Sequence, residues 1–163
     1  MAKNHVVLLA FVILVLVIVS APATAEKRPV QLSLVTPIQI FPEDDAIAGF
    51  RFNLLYGRNA SITGVDLGLV NHTTTGLSKA WQIGLVGLAD SDFVGWQYNT
   101  VNVVQAKFKG FQWGMVNYAE SAEGFQLGFV NYVENMHGLQ IGLVNIIRQN
   151  GMLPVFPFFN FSF

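Results

Sequence analysis

The chain has 163 residues, no cysteine, 9 basic and 10 acidic side chains, and a net charge of −1. Its 52% hydrophobic and 12% charged content is too apolar for a disordered tail, and the charged share is about half that of an average soluble domain. The missing cysteine excludes a disulfide framework and a Cys-based metal cluster, and the balanced charge leaves no basic stripe for nucleic acid.

The N-terminus reads as a targeting segment. Lys3 stands in a short n-region, an apolar run covers 6–19, and Ser-Ala-Pro-Ala-Thr-Ala at 20–25 offers Ala23 and Ala25 as an A-x-A cleavage site. Fourteen apolar residues are fewer than the roughly 17–25 that a spanning helix needs. Residues 1–25 are therefore expected to be a cleaved signal peptide, with 26–163 as one β-repeat domain. No cysteine follows the cleavage site, so a lipid-modified N-terminus is not expected.

From residue 49 onward the chain repeats. Gly-Phe-Gln-Trp-Gly-Met-Val-Asn at 110–117, Gly-Phe-Gln-Leu-Gly-Phe-Val-Asn at 124–131 and Gly-Leu-Gln-Ile-Gly-Leu-Val-Asn at 138–145 share one template. Weaker copies start at 49, 64, 80 and 95, so the units are 14 to 16 residues apart. The third position reads Arg51, Asp66, Gln82, Gln97, Gln112, Gln126, Gln140; the eighth reads Tyr56, Asn71, Gly87, Asn102, Asn117, Asn131, Asn145. Such column agreement is the mark of a fixed-period architecture.

Within each unit the residues alternate. Phe111, Trp113 and Met115 point one way and Gln112, Gly114 and Val116 the other, a strand signal. Recurrent glycine with β-branched and aromatic residues disfavours helix. The linkers 119–123, 134–137 and 148–151 are polar and read as turns. With flanking segments 30–41 and 152–163, about nine strand-like stretches are expected, and the fold class is all-β.

Two architectures accommodate such units. A small antiparallel barrel of about eight strands, of outer-membrane type, takes one strand of roughly 9–11 residues per unit. A β-solenoid takes one coil per unit and stacks Gln on Gln and Asn on Asn. The barrel is the preferred expectation, because free exchange of Trp, Phe, Leu and Val on one face suits lipid better than a close-packed core, and the polar turns offer no second buried wall. In a barrel Trp113 and Leu127 would face lipid, and Gln112 and Gly128 the lumen. In a solenoid Leu127 is expected inside and Gly128 outside. Phe159, Phe161 and Phe163 at alternate positions resemble the closing strand of a bacterial outer-membrane barrel; the alternative is an aromatic cap on the last coil.

The units resemble a bacterial surface repeat-containing family built from Gly-Leu-Gln-Ile-Gly-Leu-Val-Asn, which 138–145 matches letter for letter. The segment Phe-Asn-Leu-Leu-Tyr-Gly-Arg-Asn at 52–59 and the Pro-Val-Phe-Pro-Phe-Phe-Asn end at 154–160 belong to the resemblance. It implies a cell-envelope location and carries no catalytic residues.

Chemistry-bearing groups are sparse. His72 and His137 lie beside turns without a metal or nucleophile motif and read as exposed turn residues. Glu43, Asp44 and Asp45 lack the spacing of a calcium loop and read as a solvated run. The sequons at Asn59, Asn71 and Asn160 read as coincidental. Arg51 and Asp66 replace Gln in the third column and are expected to form a compensating buried pair; the glutamines are expected as hydrogen-bond fillers. No catalytic, cofactor or metal residue is assigned, and no enzyme is expected. The expected protein is a structural or interaction protein of the outer membrane or cell surface. Its expected partners are outer-membrane lipid and the assembly machinery, with no nucleic acid. The alternative is a secreted or periplasmic solenoid that binds a partner or polymer surface.

Overall fold

The computed structural model describes residues 26–163, so the expected signal peptide at 1–25 lies outside the described residues. The elements are β1 (Lys27–Val35), β2 (Ile38–Gln39), β3 (Ala46–Asn59), β4 (Ile62–Thr73), β5 (Ser78–Ala89), β6 (Phe93–Trp113), β7 (Val116–Ile147) and β8 (Val155–Ser162). They form one sheet in the order β2-β1-β3-β4-β5-β6-β7-β8. The fold is a β-solenoid of about seven turns, and the barrel expectation is overturned.

Pairing decides the matter. Neighbours from β1 through β7 run parallel, with Arg51 opposite Asp66, Asp66 opposite Gln82, Gln82 opposite Gln97 and Gln112 opposite Gln126. An up-and-down barrel needs antiparallel neighbours. Parallel stacking in register gives each amide an identical amide above and below it, so equal residues satisfy each other. The coils are numbered here 1 to 7 from residues 49, 64, 80, 95, 110, 124 and 138.

The assignment of polar turns is also corrected. Residues 119–123 and 134–137 are strand within β7, and they carry the wall that seemed missing. Ala119, Ala122, Val133 and Met136 are fully buried there. With Ile47, Ile62, Phe93, Phe108, Val104 and Ile147 they make an apolar core along the solenoid axis. Their spacing of three replaces strict alternation, so the polar residues between them conceal a buried limb.

The opposite faces are corrected too. Gln112 and Gln126 are buried, whereas Trp113 is half exposed. The solenoid thus turns its glutamines inward and its aromatics outward, the facing expected of the barrel. Alternation ends at a corner: Met115 and Val116 both face out, and Asn117 returns inside. In coil 1 a bulge between Asn53 and Tyr56 shifts the register, so Gly57, not Tyr56, stands opposite Asn71.

Six of the seven coils begin at a glycine of positive φ, and coil 3 begins at Ala80. Gly124 has φ 133°, and a Cβ there would lie 2.1 Å from the carbonyl oxygen of Gly110 in the preceding coil. Both the backbone angle and the close approach demand glycine. The ends are closed by antiparallel strands. β2 folds back on β1, and β8 pairs with β7 through Gln140 opposite Asn160. The terminal phenylalanines therefore belong to a solenoid cap, in place of the expected closing barrel strand. Such caps blunt the parallel edges that would otherwise recruit another chain.

Candidate functional site: an inside-out half of the solenoid

Two amide ladders fill one half of the interior. Gln140 donates to Gln126, Gln126 to Gln112, Gln112 to Gln97 and Gln97 to Gln82, at 2.6–2.9 Å. Gln82 donates to Asp66 at 2.9 Å, and Asp66 receives Arg51 Nε and Nη2 at 2.8 and 2.7 Å. The buried pair expected from the sequence is thus a fork-to-fork contact at the foot of the ladder. The second ladder runs the other way: Asn102 donates to Asn117, Asn117 to Asn131 and Asn131 to Asn145, each at 2.8 Å. The two rows of aligned amide dipoles oppose one another. The donor end of the Gln row points at the Asp66 carboxylate, the favourable sense for a negative charge.

The asparagines also exchange places between coils. Coil 3 has Gly84 and Gly87 where most coils carry one Asn, and coil 4 has both Asn99 and Asn102. Asn99 reaches back to Gln82 Oε1 at 3.2 Å. A Cβ on Gly87 would meet Asn99 Nδ2 at 2.5 Å. In coil 1 the side chain of Asn53 takes the space over Gly57 in the same way.

Outside this amide-filled half the surface is apolar. Positions 1 to 8 of the seven coils hold two charged residues, Arg51 and Asp66, and both are fully buried. The outward rows carry Trp81, Trp96, Tyr98, Trp113, Leu85, Met115, Phe129 and Leu143, each about half exposed. Six steps of about 4.8 Å by about six residues of 3.3 Å give a face of roughly 29 by 20 Å. That is on the order of 600 Å², the upper end for the largest apolar patch of a monomer. The other half of each coil is built the opposite way. Its interior is Ala, Val, Ile, Phe and Met, with buried Asn59, Thr73 and Ser78 in the same rows at the N-terminal end, and its outward positions include Asp90, Lys107, Lys109, Glu120, Glu123 and Arg148. One half is ordered for water and the other is inverted.

The aromatics engage one another along the axis. Phe111 stacks on Phe125 at 5.4 Å and 11°, Trp96 tilts over Phe111 at 5.3 Å, and Tyr98 meets Trp113 edge-on at 4.9 Å. Between the fourth and sixth positions of coils 4 to 7 lies a groove of about 710 Å³. Tyr98, Trp113, Leu127 and Ile141 line one side, Thr100, Met115, Phe129 and Leu143 the other, with Gly114, Gly128 and Gly142 in the floor and Phe158 against it.

The remaining sequence candidates fall elsewhere. His72 is not a free turn residue: Nδ1 lies 2.8 Å from Tyr56 Oη, and Nε2 lies 2.9 Å from Asp90 Oδ2. Burial raises the Tyr56 phenol above its ordinary value, which opposes its use as a phenolate nucleophile. The acidic run separates, with Asp45 held by Arg28 at 2.9 Å and Glu43 by Arg58 at 3.3 Å. His137 meets the Phe163 ring edge-on at 6.3 Å. Asn59, Asn71 and Asn160 are fully buried, so none of the three sequons presents its amide. Among the described residues no three His, Asp or Glu side chains converge as metal ligands. Gln31 and Asn160, not recognised from the sequence, stand in register opposite Arg51 and Gln140 at the two ends of the Gln column, and their side chains bond to backbone outside the ladder. Comparison with family models, curated proteins and solved structures gave no match.

Proposed function

We propose that the protein is an exported, non-catalytic repeat protein of the bacterial cell envelope that seats the inverted half of its solenoid in one leaflet of a lipid membrane. The observation that carries the reading is the inversion itself: polar amides inside and apolar side chains outside in one half, the reverse in the other. Lipid removes the penalty for exposed apolar surface, and the parallel in-register stack pairs the backbone of each coil along this limb with its neighbours, as a lipid-facing segment requires. From the second to the sixth position the limb extends about 13 Å, close to half of the roughly 30 Å hydrocarbon core. The charged edge then projects into water. The resemblance of 138–145 to surface-protein repeats and the leader-like 1–25 support the envelope location.

A glycan-binding reading is less well supported, since stacking on sugars needs ring faces turned outward. Here Phe111 and Phe125 turn their faces to each other.

Flotation with phosphatidylcholine vesicles tests the proposal. The protein should float at both low and high salt, because the contact is apolar. Leu85→Lys/Phe129→Lys/Leu143→Lys should remain folded by circular dichroism and stay in the aqueous fraction. Failure of the parent protein to float, or undiminished flotation of the triple variant, overturns the reading.

A further inference from the structure

We infer that the groove over coils 4 to 7 holds a single extended acyl chain, lying along the solenoid axis and so in the plane of the leaflet. The inference rests on the lipid-facing reading of that side and names the contact made there.

The groove has a direction. Its walls are the fourth- and sixth-position rows of four consecutive coils, and its floor is the fifth-position row. Glycine at positions 114, 128 and 142 is required from within. A Cβ there would lie 2.0–2.3 Å from a carbonyl oxygen of the preceding coil. The consequence on the outside is a trough without side chains at its base. Three steps between coils make it about 14 Å long, and two residues of strand make it about 7 Å wide. At the coil 4 end the groove reaches the backbone of Gly84 in coil 3.

Size and charge select the occupant. The trough is on the order of 100 Å², and even the whole apolar face, on the order of 600 Å², falls below the roughly 800 Å² per partner of a stable protein interface. A volume of 710 Å³ falls within the range of small-molecule sites, about 300–1,000 Å³. No lining residue is charged, and Tyr98 and Thr100 at one end supply its hydroxyl groups. An uncharged, narrow, apolar trough complements an aliphatic chain. At the other end stands Phe158, opposite Gly142 in the β7–β8 pairing, with φ 71° and its ring 69% exposed. A bulky residue in the left-handed region is a costly outlier. The cap holds this ring at the groove's end, where a bound chain would cover it.

Trp113 lines the groove, whereas Trp81 and Trp96 do not, which provides a reporter. In Trp81→Phe/Trp96→Phe, titration with 12-bromododecanoate below its micellar concentration should quench Trp113 saturably at one equivalent. Filling the trough by Thr100→Phe/Leu127→Phe/Leu143→Phe in that background should weaken binding at least tenfold, with circular dichroism unchanged. Leu69→Phe/Leu85→Phe, outside the trough, should leave it intact. The filled variant should still float with vesicles. Flotation without saturable quenching overturns the groove assignment and leaves membrane seating in place. Quenching without flotation overturns the seating. Equal quenching in the filled variant overturns the groove, as does a parent protein that sediments as a dimer and becomes monomeric on Leu127→Arg.

Discussion

Coils 1 and 2 place Arg51 over Asp66 at the third position, where coils 5, 6 and 7 place Gln112, Gln126 and Gln140. The last three coils are near copies with unbroken ladders, while the first two contain a bulge, a buried ion pair and the Tyr56–His72 contact that continues to Asp90 in coil 3. The frame is shared, so the difference lies in how a row of aligned amides is allowed to end. At the N-terminal end the row meets a carboxylate neutralised by guanidinium. At the C-terminal end Gln140 Oε1 has no hydrogen-bond partner. A regular interior can be continued by repetition, but its termination needs special residues.

The strongest way to break this contrast is to remove one charge. Asp66→Asn should lower stability to urea by about 3–5 kcal/mol, because Arg51 would remain buried without its counter-ion. Arg51→Gln/Asp66→Gln converts the foot into ordinary ladder and should recover to within about 1 kcal/mol of the parent. Loss in the double variant equal to that in the single would show that the pair is more than a terminus.

Next is the coil bend. Gly124→Ala should cost about 2–4 kcal/mol in the same urea titration, from backbone strain together with overpacking against the Gly110 carbonyl. Within the regular coils, Gln112→Leu leaves the amides of Gln97 and Gln126 without their mutual link. It should cost about 2 kcal/mol. A smaller effect sharpens the asparagine exchange. Gly87→Asn/Asn99→Gly moves one amide back to its regular coil and should fall within about 1 kcal/mol of the parent, while either single change is more harmful.

The smallest effect belongs to the charged edge. The Lys109 ammonium, 2.6 Å from Glu123, holds that carboxyl below its ordinary value. A depressed carboxylate contributes above its unfolded pKa and loses that contribution as pH falls through the folded value. Both side chains are well exposed. Lys109→Met should therefore lower the urea midpoint only slightly at neutral pH and leave it unchanged at acid pH, flattening its acid dependence.

The period, the all-β class and the outward aromatic rows were legible because they repeat at fixed spacing. The stacking mode was not, since two physical signals disagreed. Identical glutamines argued for parallel register, while interchangeable aromatics argued for lipid. Both are satisfied once a solenoid is allowed to invert half of its cross-section. The return limb escaped notice because Ala119 and Ala122 are three apart amid polar residues. His72 concealed its role because its partners lie 16 and 18 residues away, a spacing that has meaning only after one coil rests on the next. Gln31 and Asn160 went unrecognised at the ends of the Gln column because neither sits in a repeat unit.

The opposed directions of the amide rows bear on how such a chain can change length. In coils 5 to 7 each turn adds one Gln donating toward the N-terminus and one Asn donating toward the C-terminus. Duplicating a turn there adds two moments that largely cancel, and it creates no new buried end. Excising one joins like to like. Gene-level slippage by whole units in this region would therefore yield shorter and longer chains that keep the same termini, whereas duplication of coil 1 or 2 would strand a charge in mid-stack. The solenoid is a ruler whose graduations can be inserted at one end only.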